Sequence, residues 1–213
     1  MFRILSFSSL SISVKFLAGF LLTKIFAVFL GPNGISVMGN IKNFVQVLVS
    51  VQTLGMQKGI IRYTAEYKND TVKLKYLIGT LNIFNICVSV LLFLILLIFS
   101  KDFALLVFND QTYGFVFNIL AFVVLFQGFH YLFFTLLQGF GDYQKVIYLE
   151  ISMNIISLLL TAGLVYFNGL LGGIYAVVLV PLFYFVISRL FYGSFPFFQF
   201  HFSKVTSRNL LLY

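Results

Sequence analysis

Three lysines stand where hydrocarbon-spanning segments should have none. Lys15 and Lys24 lie inside the apolar run "VKFLAGFLLTKIFAVFLGPNGI" (14–35), and Lys42 follows in the next apolar run. An ammonium at the bilayer centre costs at least about 2.5–3.5 kcal/mol on insertion scales. Such a group either snorkels to the nearer interface or lines a polar interior. Gathered in a wet cavity, the lysines would receive an anion such as a phosphate as point charges, without fixed geometry. Positions 15 and 24 fall about 180° apart on an ideal helix, so a shared site needs a bend, and Gly19 lies between them. Glu150 is the only acid clearly inside an apolar run, so an interior cavity would be net positive.

The uncharged polar residues fall into stripes at helical spacing. Lys42, Gln46, Thr53 and Gln57 share one arc with Val49. Asn82, Asn85 and Ser89 share another. Gln127, Tyr131 and Gln138 form a third, with His130 to one side, and Glu150, Asn154, Ser157 and Thr161 form a fourth. Lipid cannot satisfy these groups, so the stripes should face one another or a watery cavity. Plain interhelical hydrogen bonding is the alternative use of Asn, Gln, Ser and Thr in a bundle.

The elements that must position these residues are membrane helices. Of 213 residues, 61% are hydrophobic and 9% charged, with a mean hydropathy of +1.03. A soluble domain carries about 25% charged residues, so this chain must face lipid. A span needs roughly 20 apolar residues, and six segments qualify, about 7–30, 36–62, 76–99, 113–138, 146–167 and 170–193. "GPNG" (31–34), the charged "EYKNDTVKLK" (66–75), "SKDFALLVFNDQT" (100–112) with an amphipathic middle, "GFGDYQK" (139–145) and "FNG" (167–169) connect them. The expected fold is all-α: a six-helix transmembrane bundle over 1–193, then an interfacial linker over 194–213. Arg3 precedes a retained first span, since no small-residue cleavage site follows it. Basic residues set the orientation. Arg3, Arg62, Lys68, Lys73, Lys75, Lys145, Arg189, Lys204 and Arg208 fall on one side and Lys101 on the other. Both termini are therefore expected in the cytoplasm, with "GPNG" outside. The formal charge of +8 is mostly this topology signal, and basic residues flanking apolar spans do not read as nucleic-acid binding.

Enzyme chemistry finds no support. His130 and His201 have no acid at motif spacing, and Asp102, Asp110 and Asp142 are isolated in loops. There is no phosphate-binding glycine loop with Lys-Ser/Thr, and no Cys/His cluster at metal-ligand spacing. No cofactor or metal is expected. Cys87 stands alone, so no intrachain disulfide can form.

The ordered elements resemble a family. "KFLAGFLLTKIFAVFLGPNGISVMGNIKNFVQVLVSVQTLGMQKGIIRYTAEY" (15–67), "LLQGFGDYQK" (136–145) and "GLLGGIYA" (169–176) are similar, in order and spacing, to lipid-linked oligosaccharide flippases of bacterial surface-polysaccharide assembly. These are the O-antigen and enterobacterial-common-antigen translocases, in the superfamily that also holds the multidrug extrusion (MATE) and lipid II flippases. The resemblance implies a multi-pass protein of the bacterial cytoplasmic (inner) membrane that moves an undecaprenyl-pyrophosphate-linked glycan to the outer leaflet with no covalent change. Lys15, Lys24 and Lys42 would hold the pyrophosphate. Gln46, Gln57, Asn82, Asn85 and Gln127 would hydrogen-bond sugars, and Glu150 is the candidate for ion or proton coupling. Family members have two pseudo-symmetric halves. The chain is expected to supply the N-terminal one, as a truncated product, with a separate second half or a second copy completing it. Multidrug or small-molecule extrusion on the same fold is the alternative function, and a non-transporting membrane remnant is a third.

The orientation is testable with single cysteines in a Cys87→Ala background. A membrane-impermeant maleimide should label Asn33→Cys on intact cells, and Asn69→Cys only after permeabilisation. The reverse pattern would invert the topology.

Overall fold

A computed structural model describes residues 2–191, with side chains described for Ser9 and 11–190. The expected linker over 194–213 lies outside the described residues. Everything described is helix or short connection, without a strand. The elements are α1 (Phe2–Thr53), α2 (Gln57–Tyr67), α3 (Thr71–Ile98), α4 (Ser100–Phe108), a 3₁₀ turn (Gln111–Tyr113), α5 (Gly114–Phe140) and α6 (Tyr143–Phe191). The chain is an all-α membrane protein. Four of its helices are long and apolar enough to cross a bilayer. Large apolar side chains stay exposed on the bundle's outside, such as Phe16 at 75%, Leu106 at 76% and Phe167 at 81%. Patches of this kind suit acyl chains and not water.

The two longest helices, α1 with 52 residues and α6 with 49, are more than twice the length a span needs. Each is folded back on itself at one glycine. Gly31 has φ 67° and ψ −173°, and Gly169 has φ 56° and ψ −131°, the only non-helical backbone inside either helix. L-residues with a Cβ avoid this region, so glycine is required at both bends. Pro32 then opens the second arm of α1, where its missing N–H costs no intrahelical bond. In a straight helix, positions 26 and 42 would lie about 24 Å apart. The Lys42 ammonium instead sits 4.6 Å from the centre of the Phe26 ring, so the arms form a hairpin. In α6, a Cβ on Gly173 would lie 3.4 Å from a Val165 methyl, which shows the same reversal. The "GPNG" and "FNG" connections are thus reduced to a single non-helical residue each. The six expected apolar segments correspond to four helices, two of them bent double.

The arms of α1 and α6 run side by side. Ser11 contacts Glu150 near their starts, and Phe29 meets Tyr166 edge-on near the bends. Beyond the bends, Met38 of α1 presses on Gly173 of α6, where a Cβ would come within 2.9 Å of its sulfur. α5 is the central rod, with Phe117, Leu120, Ala121 and Val124 fully buried. It touches every other helix of the bundle.

The expected second span, 36–62, is divided. α1 ends at Thr53, and Leu54 (φ 43°) and Gly55 (φ 69°) turn the chain into α2. α2 has 11 residues and is amphipathic, with Ile60 and Thr64 buried and Lys58, Arg62 and Glu66 exposed. It is too short to span, and it lies on α5 where Gly139 gives it room. The amphipathic middle of 100–112 folds as α4, with Ala104 and Val107 buried and Leu105 and Leu106 exposed. Asn40 ties α1 to its end, donating to the Val107 carbonyl at 3.2 Å. Asp70 caps α3 by accepting from the Lys73 N–H at 3.0 Å. That bond, with the Lys73 ammonium, holds the Asp70 carboxyl below its ordinary value. The cap is therefore complete above the unfolded carboxylate's pKa and weakens as pH falls through the lowered one.

Between membrane helices there is no hydrophobic drive, so close approach at small residues carries the packing. A Cβ on Gly139 would lie 2.5 Å from Thr64 Cβ and 2.9 Å from the Ile61 carbonyl. Gly139→Val should therefore cost about 1–3 kcal/mol by overpacking. Gly163→Ala, with open space around it, should not lower stability. Thermal unfolding in detergent, followed by circular dichroism, checks both.

Candidate functional site

A cluster of primary amides lies where α1, α3 and α5 meet. Gln52 comes from the last turn of α1, Asn82, Asn85 and Ser89 from one face of α3, and Gln127 from α5. All are buried, Gln127 completely. The Gln52 amide nitrogen donates to Ser89 Oγ at 2.7 Å and to the Val124 carbonyl at 2.9 Å. That carbonyl is one turn before Gly128, and the absent side chain there admits the amide. A Cβ on Gly128 would collide with Asn85 Oδ1 and with Gln52 Nε2. One side chain thus joins three helices.

The cluster is not fully satisfied. Gln52 Oε1, Asn82 Nδ2 and Asn85 Nδ2 are buried without a protein partner. Buried polar groups nearly always have one, so each such atom asks for a ligand or a water. A cavity of about 30 Å³ opens beside Gln52 and Asn85, walled also by Gln57, Leu81, Tyr131 and Leu132. Gln57 is exposed, at its mouth near the α1–α2 turn.

Of the expected sugar-contacting residues, Asn82, Asn85 and Gln127 are buried, but only Asn85 and Gln57 wall the cavity. Gln46 does not. It is exposed with Lys42, Asn43 and Ser50 on the outer face of α1's second arm. The Lys42–Gln46 end of the α1 stripe therefore faces away from the described bundle, whereas Val49 is buried and Thr53 and Gln57 wall the cavity. The buried face of that arm is the one bearing Met38, Ile41 and Leu48, and Gln52 continues it at i+4. Gln52 lay outside the polar stripe read from the sequence. A lone amide interrupting an apolar face at helical spacing was the signal that could have found it.

The three lysines are not brought to one point. Lys15 and Lys24 are both exposed, on a first arm that stays helical through Gly19. The bend that a shared site would need at Gly19 is absent, and the two face opposite ways. Lys15 lies over a surface groove with Phe16 and Gly19. It shares a side of the arm with Phe26, over whose ring the Lys42 ammonium rests.

Two further polar contacts cross helices. Glu150 accepts from Ser11 Oγ at 2.7 Å, joining α6 to α1. His130 places Nδ1 2.8 Å from Ser188 Oγ, and Ser188 Oγ donates to the Tyr184 carbonyl at 2.8 Å. Since that carbonyl can only accept, the hydroxyl proton is committed to it and His130 carries its proton on Nδ1. Sequence spacing set His130 aside from the α5 stripe, and it indeed serves the α5–α6 contact.

The chain is similar to the "Lipid III flippase" of Escherichia coli (strain K12), 26% identical over 129 residues, which is 61% of this chain and 31% of that protein. The "Lipid III flippase" of Shigella flexneri gives the same 26% identity and coverage. The chain thus matches less than a third of the length of these relatives. No solved structure matches it. The family described as "Polysaccharide biosynthesis protein" matches residues 3–213, nearly the whole chain. The chain belongs to the polysaccharide biosynthesis protein family.

Proposed function

We propose that this chain forms one half of a flippase that carries an undecaprenyl-pyrophosphate-linked oligosaccharide, such as an O-antigen unit, across the bacterial inner membrane. One observation carries the reading. On the second arm of α1, Gly39, Lys42, Asn43, Gln46 and Ser50 form an exposed polar strip within a helix apolar enough to span. Hydrocarbon cannot satisfy that strip, so it borders a wet passage or a polar partner. Family membership and the similarity to proteins named lipid III flippases support the first.

In this reading each arm of α1 and α6 crosses the membrane separately, giving six spans with both termini in the cytoplasm. The polyprenyl tail stays in lipid while the head group follows the strip. Lys42 meets the pyrophosphate first. Lys15, on the same side of the hairpin and roughly 16 Å along it, meets the charge at a second depth. Lys24 faces the other way and snorkels. Gln46 and Gln57 supply hydrogen bonds to sugar hydroxyls. Glu150, which accepts from Ser11 at the α1–α6 contact, takes up a proton or cation that biases the hairpins. A second half, or a second copy of this chain, covers the strip and alternates the access.

A charge-assisted contact to phosphate is worth about 1.5–3 kcal/mol, or roughly 10–100-fold in affinity. In cells that depend on this protein for surface glycan, Lys42→Ala should lower display at least about tenfold, with lipid-linked precursor building up in the inner leaflet. Lys42→Arg should keep most of the display, and Lys24→Ala should change it little. Normal display by a Lys42→Ala, Gln46→Leu double variant would remove the strip from the path.

A further inference from the structure

We infer that the cavity between α1, α2, α3 and α5 receives the acetamido group of an N-acetylated sugar. A secondary amide brings one acceptor, one donor and a methyl group. The residues that wall the cavity leave one donor and one acceptor without partners, Asn85 Nδ2 and Gln52 Oε1. The orientation of Gln52 is fixed by chemistry. Its nitrogen faces the Val124 carbonyl, which can only accept, so its oxygen must be the orphan. Both atoms lie covered just behind the cavity wall, so the two amides rotate toward the ligand, whose N–H then completes Gln52 and whose carbonyl completes Asn85. The methyl then meets Leu81 and Leu132.

Size and charge narrow the ligand further. A cavity of about 30 Å³ admits a substituent of a few heavy atoms, not a hexose ring. The ring stays at the mouth, where Thr53 and Gln57 reach its hydroxyls. No carboxylate, ammonium or guanidinium walls the cavity, so a phosphate or uronic carboxylate would be buried without a counter-charge and is rejected. Gly128 sets the geometry, because any Cβ there would push Asn85 and Gln52 out of place.

This inference rests on the glycan reading for the carrier of the sugar. Its test reads a free monosaccharide, so it can fail while translocation stands. The full chain in lipid nanodiscs is probed by saturation-transfer-difference NMR with millimolar N-acetylglucosamine, and with glucose as the probe that lacks the amide. The N-acetyl methyl should take up saturation several-fold more strongly than the ring protons, and glucose should give almost none. Gly128→Ala should abolish the methyl signal, whereas Gly163→Ala should retain it. Should Gly128→Ala fail to fold, Asn85→Leu decides, since it removes the donor at similar volume. Equal saturation of both sugars, a methyl signal that survives Asn85→Leu, or no signal from either sugar would overturn the assignment. The last outcome would leave the amides to bound water alone.

Discussion

Hydrocarbon offers a polar group no partner, and this constraint governs the arrangement of the chain. Backbone groups are satisfied within helices, so the described residues are helices joined by short turns. Side-chain amides have only each other, a carbonyl or a ligand. Gln52 shows the consequence most clearly. By donating to Ser89 and to Val124 it binds α1 to α3 and α5 at one point. Because that bundle has no water-driven collapse to hold it, contacts of this kind and the close approach at Gly128, Gly139 and Gly173 set which helices neighbour which.

The two glycine bends give the same fold its hairpins. Gly31 and Gly169 hold backbone angles closed to other residues, and each reverses a helix that would otherwise be far too long for the membrane. With α1 and α6 folded and laid arm against arm, one face of α1 is committed to packing through Met38, Ile41 and Leu48. The opposite face, with Lys42 and Gln46, is left outward. The strip proposed to meet the glycan therefore follows from the bend. A straight α1 could not hold the Lys42 ammonium above the Phe26 ring.

Two polar environments result, and they differ in chemistry. The outer strip carries the Lys42 ammonium beside exposed Asn43 and Gln46. The inner cavity is walled by uncharged amides and apolar side chains in a small space. Keeping the ammonium on an exposed face and only uncharged amides inside avoids burying an ion without its partner, which costs far more than burying an amide.

Composition and apolar run length were enough to establish a helical membrane protein, because lipid imposes the same demand on any such chain. The glycines at both bends were also visible as punctuation, and the ordered elements pointed to the right family. Inward-facing Asn82, Asn85 and Gln127 could be read from spacing, since α3 and α5 are regular and covered on that side. The end of α1 could not. The turn at Leu54 and Gly55 interrupts a run that remains apolar, and a non-glycine left-handed residue leaves no mark in composition. Nor could spacing tell which face of α1 would be covered. Periodicity gives angles around one axis, whereas burial depends on where α3, α5 and α6 stand beside it. For that reason Gln52 became the central amide while the more conspicuous stripe of Lys42 and Gln46 turned outward. Single-helix angles are a local property of the residues, and their partners are fixed only when the hairpins come together.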